Sequence, residues 1–185
     1  MIEDFLYLEY MNNQILFLDF DDVLCMNNPY GGYDVALAID GRGEPEDLWN
    51  LLFDPLAVGL LKEINDEFHP QYVLSTSWTL IMNRDAIVAA LEKTGLEFVV
   101  NNLHSDWETI KTGSDARAID IQTWLAGHPE QADCWVVLDD TLSGVGLTDW
   151  AVLCDVSVGL TAEKHAELRE AFLARAKQTC AEHRN

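Results

Sequence analysis

The sequence predicts an α/β fold, a Rossmann-like doubly wound parallel sheet with helices on both faces in three α/β/α layers. Short runs that are apolar on both faces recur along the chain, as they do in buried parallel strands. Amphipathic segments of helical period lie between these runs, which is the alternation that right-handed β-α-β crossovers produce. The ligand site of such a sheet is expected beyond the carboxyl ends of its strands.

Five apolar runs are the predicted strands. The first run ends directly in acidic residues, and the later runs are bounded by polar or turn-forming residues. Their bounds are residues 15–18, 71–74, 98–100, 135–138 and 150–154. Because the runs do not alternate between apolar and polar residues, we expect most of them to be buried on both faces.

Four amphipathic helices are predicted between and after these strands. Asp54 can cap a helix whose first residue is Pro55. A second helix is expected over residues 83–95, where the final glycine suits a helix C-terminus. A third helix begins near the possible cap Ser114, and a last one follows Thr161.

We expect the chain of 185 residues to form one domain, residues 1–185. Residues 1–13 precede the first strand and are predicted to be an N-terminal extension. Residues 26–52 contain several Gly and Pro residues that break the regular order. They are predicted to form a loop or small hairpin, inserted after the first strand and placed over the site.

The charge balance is strongly acidic, since 32 Asp and Glu face 11 Lys and Arg for a formal net charge of −21. Such a surface repels polyanions, so strong nonspecific binding to nucleic acid is not expected. The first residues carry no basic cluster, and no apolar run approaches membrane-spanning length. No membrane association and a cytoplasmic location are therefore expected.

Two pairs of aspartates carry the strongest chemical signal. Asp19 and Asp21 follow the first predicted strand and share one face of an extended segment. Asp139 and Asp140 end the fourth strand in the same way. One such pair alone could be a solvated acidic turn, but parallel strands bring both pairs to the same edge. Oxygen ligands of this kind suit Mg²⁺, which also binds substrate phosphate.

Two further features could hold a phosphate group. The second strand ends in Ser75 and Thr76, whose hydroxyl and backbone N–H groups can bind a phosphate oxygen, although such residues are also common turn formers. A fixed cation is needed to offset the phosphate charge, and Arg117 and Lys111 are both candidates. The sequence does not decide between them.

Taken together, these residues resemble the signature of the haloacid dehalogenase (HAD)-like hydrolase superfamily. More narrowly, the chain is similar to the small HAD domains of Swiss Army Knife RNA repair proteins. The segments that carry this similarity are residues 15–24, 73–78, 117–125, 136–140 and 159–161. The resemblance implies a HAD-like fold, and the short insertion after the first strand leaves room for a minimal cap domain or none.

The resemblance also implies a phosphatase mechanism. Asp19 would attack phosphorus to form an aspartyl-phosphate, and Asp21 would act as general acid and then general base. Magnesium would be held by the Asp19 carboxylate, the Asp21 backbone carbonyl and Asp139, with help from Asp140. The expected activity is a Mg²⁺-dependent phosphoric monoester hydrolase.

The same resemblance assigns the phosphate contacts, and the sequence differs from the usual superfamily pattern at two positions. Thr76 and Arg117 would grip the phosphoryl group, and Ser75 and Lys111 are the alternatives for those two roles. The residue after the second aspartate is usually glycine in this superfamily, but here it is Asp22. Thr79 stands where an arginine often follows the tryptophan.

The expected partner is a phosphorylated substrate, either a small ester, a nucleotide or a nucleic-acid end. An open site also suits a phosphoprotein, whereas the acidic surface favours a small ester or nucleotide. The alternative function is a catalytically weak HAD-like module that binds metal or protein. A nucleotide-binding protein of Rossmann type is disfavoured because no GxGxxG motif follows the first strand.

Overall fold

A computed structural model describes residues 14–111, 116–142 and 147–182. Five strands form one sheet in the order β3-β2-β1-β4-β5, and every pairing is parallel. The strands are β1 (Ile15–Leu18), β2 (Gln71–Leu74), β3 (Leu103–Glu108), β4 (Trp135–Asp139) and β5 (Ala151–Leu153). The chain adds β2 and β3 on one side of β1, then β4 and β5 on the other, so the order reverses between β1 and β4.

Helices cover both faces of this sheet. They are α1 (Gly32–Ile39), α2 (Leu48–Leu51), α3 (Pro55–Phe68), α4 (Arg84–Lys93), α5 (Glu97–Asn101), α6 (Arg117–Gly127) and α7 (Ala162–Glu182). Side chains alternate along β1, so Leu16 and Leu18 lie in the core beneath α3, α4 and α7, whereas Ile15 and Phe17 pack against α6. The predicted doubly wound α/β fold is confirmed.

The helix ends follow from local chemistry. The Asp54 carboxylate accepts a hydrogen bond from the Ala57 backbone N–H at 2.9 Å, and Pro55 occupies the first helical position of α3. Asn83 caps α4 through the Ala86 N–H at 3.0 Å. These two predicted starts are confirmed. None of the helices in the described ranges is both long and apolar enough to cross a membrane.

The prediction of a strand at residues 98–100 is wrong. These residues belong to the short helix α5, in which Leu96 at the N-cap and Val99 three residues later are both buried. The third strand is instead β3, a sheet-edge strand whose side chains are only partly buried or exposed. An edge strand does not need an apolar run, which explains why the sequence pattern missed it.

The prediction of a loop or hairpin at residues 26–52 is also wrong, because this segment contains α1 and α2. Val35 and Leu48 are fully buried in the main core, so the segment packs onto the sheet layer. Val35 and Ala38 are three residues apart, so they lie on the same side of α1, and this side is buried. The predicted N-terminal extension, residues 1–13, and the proposed cap Ser114 lie outside the described residues.

Candidate active site

The site lies where the strand order reverses, at the carboxyl ends of β1 and β4. Asp19 directly follows β1, and Asp139 is the last residue of β4. The Asp19 N–H donates to the Leu138 carbonyl at 3.0 Å, which joins the two strand ends. Both carboxylates are buried, with exposed fractions of 2% for Asp19 and 0% for Asp139. The ladder between the two strands therefore fixes the distance between the two aspartates.

Three carboxylates converge at this point. Ligand oxygens of Asp19, Asp139 and Asp140 all lie within 4.8 Å of one another. Backbone N–H groups satisfy part of this negative charge: that of Phe20 donates to Asp19 Oδ1 at 2.7 Å, and that of Asp140 to Asp139 Oδ1 at 3.0 Å. The remaining charge requires a cation or a proton.

Arg117 supplies a cation between the two buried aspartates. It is the first residue of α6, and its Nη2 lies 2.8 Å from Asp19 Oδ2 while its Nε lies 3.3 Å from Asp139 Oδ2. Its Nη1 is buried and has no hydrogen-bond partner among the described residues. An unpaired guanidinium N–H beside the nucleophile candidate is a donor that a phosphoryl oxygen can use.

The electrostatics of the pair explain its need for positive charge. Burial raises the pKa of Asp19 above its ordinary value, although the Arg117 charge lowers it again in part. Burial and the neighbouring Asp19 charge raise the pKa of Asp139. Removal from water disfavours the charged form of each carboxylate, so one arginine leaves the site short of positive charge.

The donor set fits a magnesium ion. All three converging groups are carboxylates, and hard divalent cations prefer oxygen ligands. Asp139 Oδ2 is buried and accepts no hydrogen bond within the described part of the chain, although it lies 3.3 Å from Arg117 Nε in an ion pair. The Asp21 side chain, whose exposure is intermediate, is hydrogen-bonded to Trp78, and the role of the Asp21 backbone carbonyl as a metal ligand stays a prediction.

Three neutral donors hold the Asp21 carboxylate. Ser77 Oγ donates to Asp21 Oδ2 at 2.9 Å, while Trp78 Nε1 and Asn27 Nδ2 donate to Oδ1 at 3.0 and 3.2 Å. The Trp78 ring is 1% exposed and stacks on Phe53 with ring centroids 5.7 Å apart. Sequence reasoning missed these three donors, and only the repeated hydroxyls and tryptophan after β2 hinted at them.

The four phosphate-binding candidates occupy two positions. The Thr76 side chain lowers the pKa of Asp19, and its Oγ1 accepts from the Trp78 N–H at 3.4 Å. Ser75 Oγ is fully buried and accepts from Thr109 Oγ1 at 3.5 Å. Lys111 Nζ donates to Thr109 Oγ1 at 3.0 Å, and burial together with the nearby Arg117 charge lowers the pKa of Lys111 to about 8. Arg117 therefore contacts the nucleophile candidate directly, whereas Ser75 and Lys111 are linked to each other through Thr109.

Asp22 adopts the conformation for which glycine is usual. Its φ is 55°, in the left-handed region that Asp and Asn tolerate better than most residues. Its Oδ1 accepts the Ser157 N–H at 2.7 Å, which ties the turn after β5 to the turn after β1. Thr79, the other departure, donates to the Thr76 carbonyl at 3.2 Å. Asp22 is therefore accommodated by a long-range hydrogen bond and Thr79 by a local one.

The comparisons with known proteins agree with this geometry. A family model described as the HAD domain in Swiss Army Knife RNA repair proteins matches residues 15–165, which include all the strands and the converging carboxylates. Neither the curated proteins nor the solved structures yield a match. With most of its length covered by that model, the chain belongs to the family of HAD domains in Swiss Army Knife RNA repair proteins.

Proposed function

We propose that this chain is a Mg²⁺-dependent phosphatase that hydrolyses a phosphate monoester through an aspartyl-phosphate on Asp19. The observation that carries the proposal is the convergence of Asp19, Asp139 and Asp140 within 4.8 Å, with Arg117 ion-paired to the first two. Family membership supports a HAD-like hydrolase. The substrate accordingly carries a phosphoryl group.

The chemistry proceeds in two balanced steps. An Asp19 oxygen attacks phosphorus, the bond from phosphorus to the leaving oxygen breaks, and Asp21 gives that oxygen a proton. Water then attacks phosphorus, Asp21 takes a proton from the water, and the bond between phosphorus and Asp19 breaks. The products are the free alcohol and inorganic phosphate. The three donors around Asp21 support this role because they fix the direction of its carboxylate.

The remaining residues hold the charges of the reaction. Asp19, Asp139, Asp140 and the Asp21 carbonyl would hold Mg²⁺, which supplies Lewis-acid neutralisation of phosphoryl oxygens when bound. Arg117 and Thr76 are proposed to bind the transferring phosphoryl group, with the alternatives Ser75 and Lys111 lying behind them. Fixed donors of this kind stabilise the charge that spreads over the equatorial oxygens.

We further propose that the activity belongs to the cytoplasm and to a single domain without a large cap. Cys25 and Cys154 are free and buried, as suits a reducing compartment. Burial raises the pKa of Cys25 and of Cys154 to about 12, so both thiols stay protonated and unreactive at neutral pH.

Hydrolysis of 4-nitrophenyl phosphate tests the proposal. We expect turnover with Mg²⁺, none after chelation, and a loss of at least about a thousandfold in Asp19→Asn. Asp66→Asn is the matched control, since Asp66 is exposed on α3 and pairs with Lys62. Equal activity in wild type and Asp19→Asn would show that Asp19 is not the nucleophile. Mg²⁺ binding without turnover would favour the metal-binding or protein-interaction module.

A further inference from the structure

A cavity of about 360 Å³ lies between α1 and the start of α4. Ala36, Ile39 and Asp40 line one wall, and residues of the segment 81–86 line the other. None of the residues placed in the candidate active site is among the described residues that line it. A volume in this range is typical of sites for small molecules.

Both walls of the cavity are joined to Trp78, whose indole N–H donates to Asp21 at 3.0 Å. The backbone N–H groups of Ile81 and Met82 donate to the Trp78 carbonyl at 3.1 and 2.9 Å. From the other wall, Gly32 of α1 packs so closely on the indole that an added Cβ would lie 2.6 Å from Trp78 Nε1. The cavity and the Asp21 carboxylate therefore share Trp78 as a neighbour.

Helix α1 sets the distance between the site and the cavity. Gly32, Ala36 and Ile39 are spaced four and three residues apart, so they lie on one side of the helix. At about 1.5 Å of rise per residue, Ala36 lies about 6 Å and Ile39 about 10 Å along the helix from Gly32. A leaving group with a sugar and a base spans this length, whereas a small alkyl group does not.

The proposed role of Asp21 directs the leaving group towards this cavity. Asp21 gives its proton to the leaving oxygen, so that oxygen must come within hydrogen-bond distance of the Asp21 carboxylate. The rest of the leaving group extends from there. The cavity that shares Trp78 with Asp21 lies within its reach.

We propose that this cavity is the leaving-group subsite, and that it binds the nucleoside of a nucleoside monophosphate, either free or at the end of a nucleic acid. This inference rests on the proposed phosphatase function and names its substrate class. The base packs between the aliphatic side chains of Ile39 and Ile81, and the Asp85 carboxylate accepts hydrogen bonds from N–H or O–H groups of the nucleoside. Hydrolysis returns the free hydroxyl of the sugar and inorganic phosphate.

The lining of the cavity suits a neutral ring system that carries hydrogen-bond donors. Aliphatic side chains offer an apolar surface to the faces of a base, while the carboxylates of Asp40 and Asp85 accept hydrogen bonds and repel a second phosphate. Asp40 is paired with Arg42 at 2.7 Å, and the side-chain oxygen of Asn83 caps α4, so we assign the ligand contact to Asp85. A nucleoside also agrees with the family of domains in RNA repair proteins.

Calorimetric titration of the full-length Asp19→Asn protein with Mg²⁺ tests the inference without turnover. The ligands are adenosine 5′-monophosphate, adenosine 3′-monophosphate, ribose 5-phosphate, a phosphoserine peptide flanked by Arg, and a short oligoribonucleotide phosphorylated at one end. We expect the better adenosine isomer to bind at least about tenfold more tightly than ribose 5-phosphate or the peptide, because only the nucleotide fills the cavity with a base.

Equal binding of the adenosine nucleotides and ribose 5-phosphate would overturn the inference, as would tighter binding of the phosphopeptide, whose Arg is the rival partner of Asp85. The oligoribonucleotide distinguishes the two sources of the nucleoside. Binding at least as tight as that of the mononucleotide identifies a nucleic-acid end, whereas weaker binding identifies a free nucleotide.

Variants of the cavity wall locate the binding. Ala36→Leu fills part of the cavity and is expected to lower the ratio of adenosine monophosphate to ribose 5-phosphate affinity about tenfold. Ala126→Leu, at an exposed position of α6, is the matched control and should keep this ratio. Asp85→Ala should lower the ratio about threefold, and it serves as the test if melting curves show that Ala36→Leu does not fold. An unchanged ratio in the folded variants would overturn the assignment of this cavity.

Turnover of 4-nitrophenyl phosphate by the wild type reports separately on the proposed function. If this turnover is absent, the phosphatase proposal fails, while the titrations still measure the preference for a nucleoside. Turnover without that preference overturns only the inference about the leaving group.

Discussion

Asp21 and Asp139 lie at the same edge of the sheet but in opposite environments. Asp21 is partly exposed and receives hydrogen bonds from three uncharged side chains. Asp139 is fully buried, faces Asp19 and lies 3.3 Å from the Arg117 guanidinium. One sequence pattern, an aspartate at a strand end, has therefore produced a carboxylate fixed by neutral groups and another that depends on a cation.

This difference is consistent with the two tasks that the proposed phosphatase function requires. Neutral donors fix the orientation of Asp21 while its partial exposure leaves proton exchange with water open, as a general acid and base requires. The buried pair instead concentrates negative charge where a metal and a phosphoryl group are expected, and Arg117 offsets part of that charge. Changes at each residue should therefore have different consequences.

Among changes that leave the nucleophile candidate Asp19 in place, the largest effect is expected from removing the Arg117 cation. Arg117→Gln should lower kcat/KM for 4-nitrophenyl phosphate by about 10²–10³, because a fixed donor to the phosphoryl group is lost. Arg117→Lys keeps the positive charge but loses the planar guanidinium with its several N–H donors, and it should retain more activity than Arg117→Gln. Steady-state kinetics measure both. Equal losses in the two variants would show that charge alone is not what Arg117 contributes.

A smaller loss is expected when a neutral donor around Asp21 is removed. Trp78→Phe keeps the aromatic stack on Phe53 but deletes the N–H bond to Asp21, so kcat should fall about tenfold with little change in KM. The matched control is Trp49→Phe, since the Trp49 indole donates to Glu44 away from the site. A pH profile of kcat that differs between wild type and Trp78→Phe would mark a positioning role beyond structure.

The buried pair should also make stability depend on pH in the absence of metal. The folded-state pKa of Asp139 is raised, so its proton stabilises the fold below the ordinary Asp range near pH 4, and this stability is lost as pH rises. Asp139→Asn mimics the protonated form and should gain at least about 1 kcal/mol over wild type between pH 5 and 8. Urea unfolding at each pH measures the difference.

Added Mg²⁺ should change the pH dependence of stability. We expect Mg²⁺ to raise the Tm of wild type more at pH 8 than at pH 5, because the ion competes with protons for the carboxylates. The Asp139→Asn protein should show little Mg²⁺-dependent shift. If Mg²⁺ does not change the Tm of wild type at either pH, the assignment of the metal ligands is contradicted.

The smallest effect is expected at Asp22. Asp22→Gly relieves the cost of a positive φ but loses the hydrogen bond from Ser157, and the two contributions of about 1 kcal/mol oppose each other. The free energy of unfolding should therefore change by less than about 1 kcal/mol. Asp22→Asn keeps the acceptor and is the control. A large loss in Asp22→Gly alone would mean that the tie to the turn after β5 dominates.

Much of the fold could be predicted because buried strands and capped helices leave local signals. The run Ile15–Leu18 is apolar throughout since helices cover both faces of β1, and Pro55 after Asp54 marks a helix start. The exposed edge strand Leu103–Glu108 leaves no such signal. Residues 98–100 look like a strand because their short helix also packs against the core.

The site, like the fold, was predictable where it depends on local sequence and unpredictable where it depends on tertiary packing. Each predicted carboxylate adjoins a strand end, and parallel pairing brings Asp19, Asp139 and Asp140 together, although their catalytic roles remain proposals. The donors to Asp21 could not be predicted, since Trp78 lies 57 positions away along the chain. Nor does the sequence show that Arg117 contacts Asp19, 98 residues earlier.

By itself, the sequence determined which residues end the strands and hence which aspartates meet at one edge, because strand period and parallel pairing are local rules. Only the tertiary structure decided that Ser75 hydrogen-bonds to Thr109, and that Arg117 contacts Asp19 whereas Lys111 donates to Thr109. Neighbouring side chains along an extended segment point in opposite directions. Which partner a long side chain such as Arg117 or Lys111 contacts depends on how its segment packs against the sheet. Both choices depend on packing that no local pattern records.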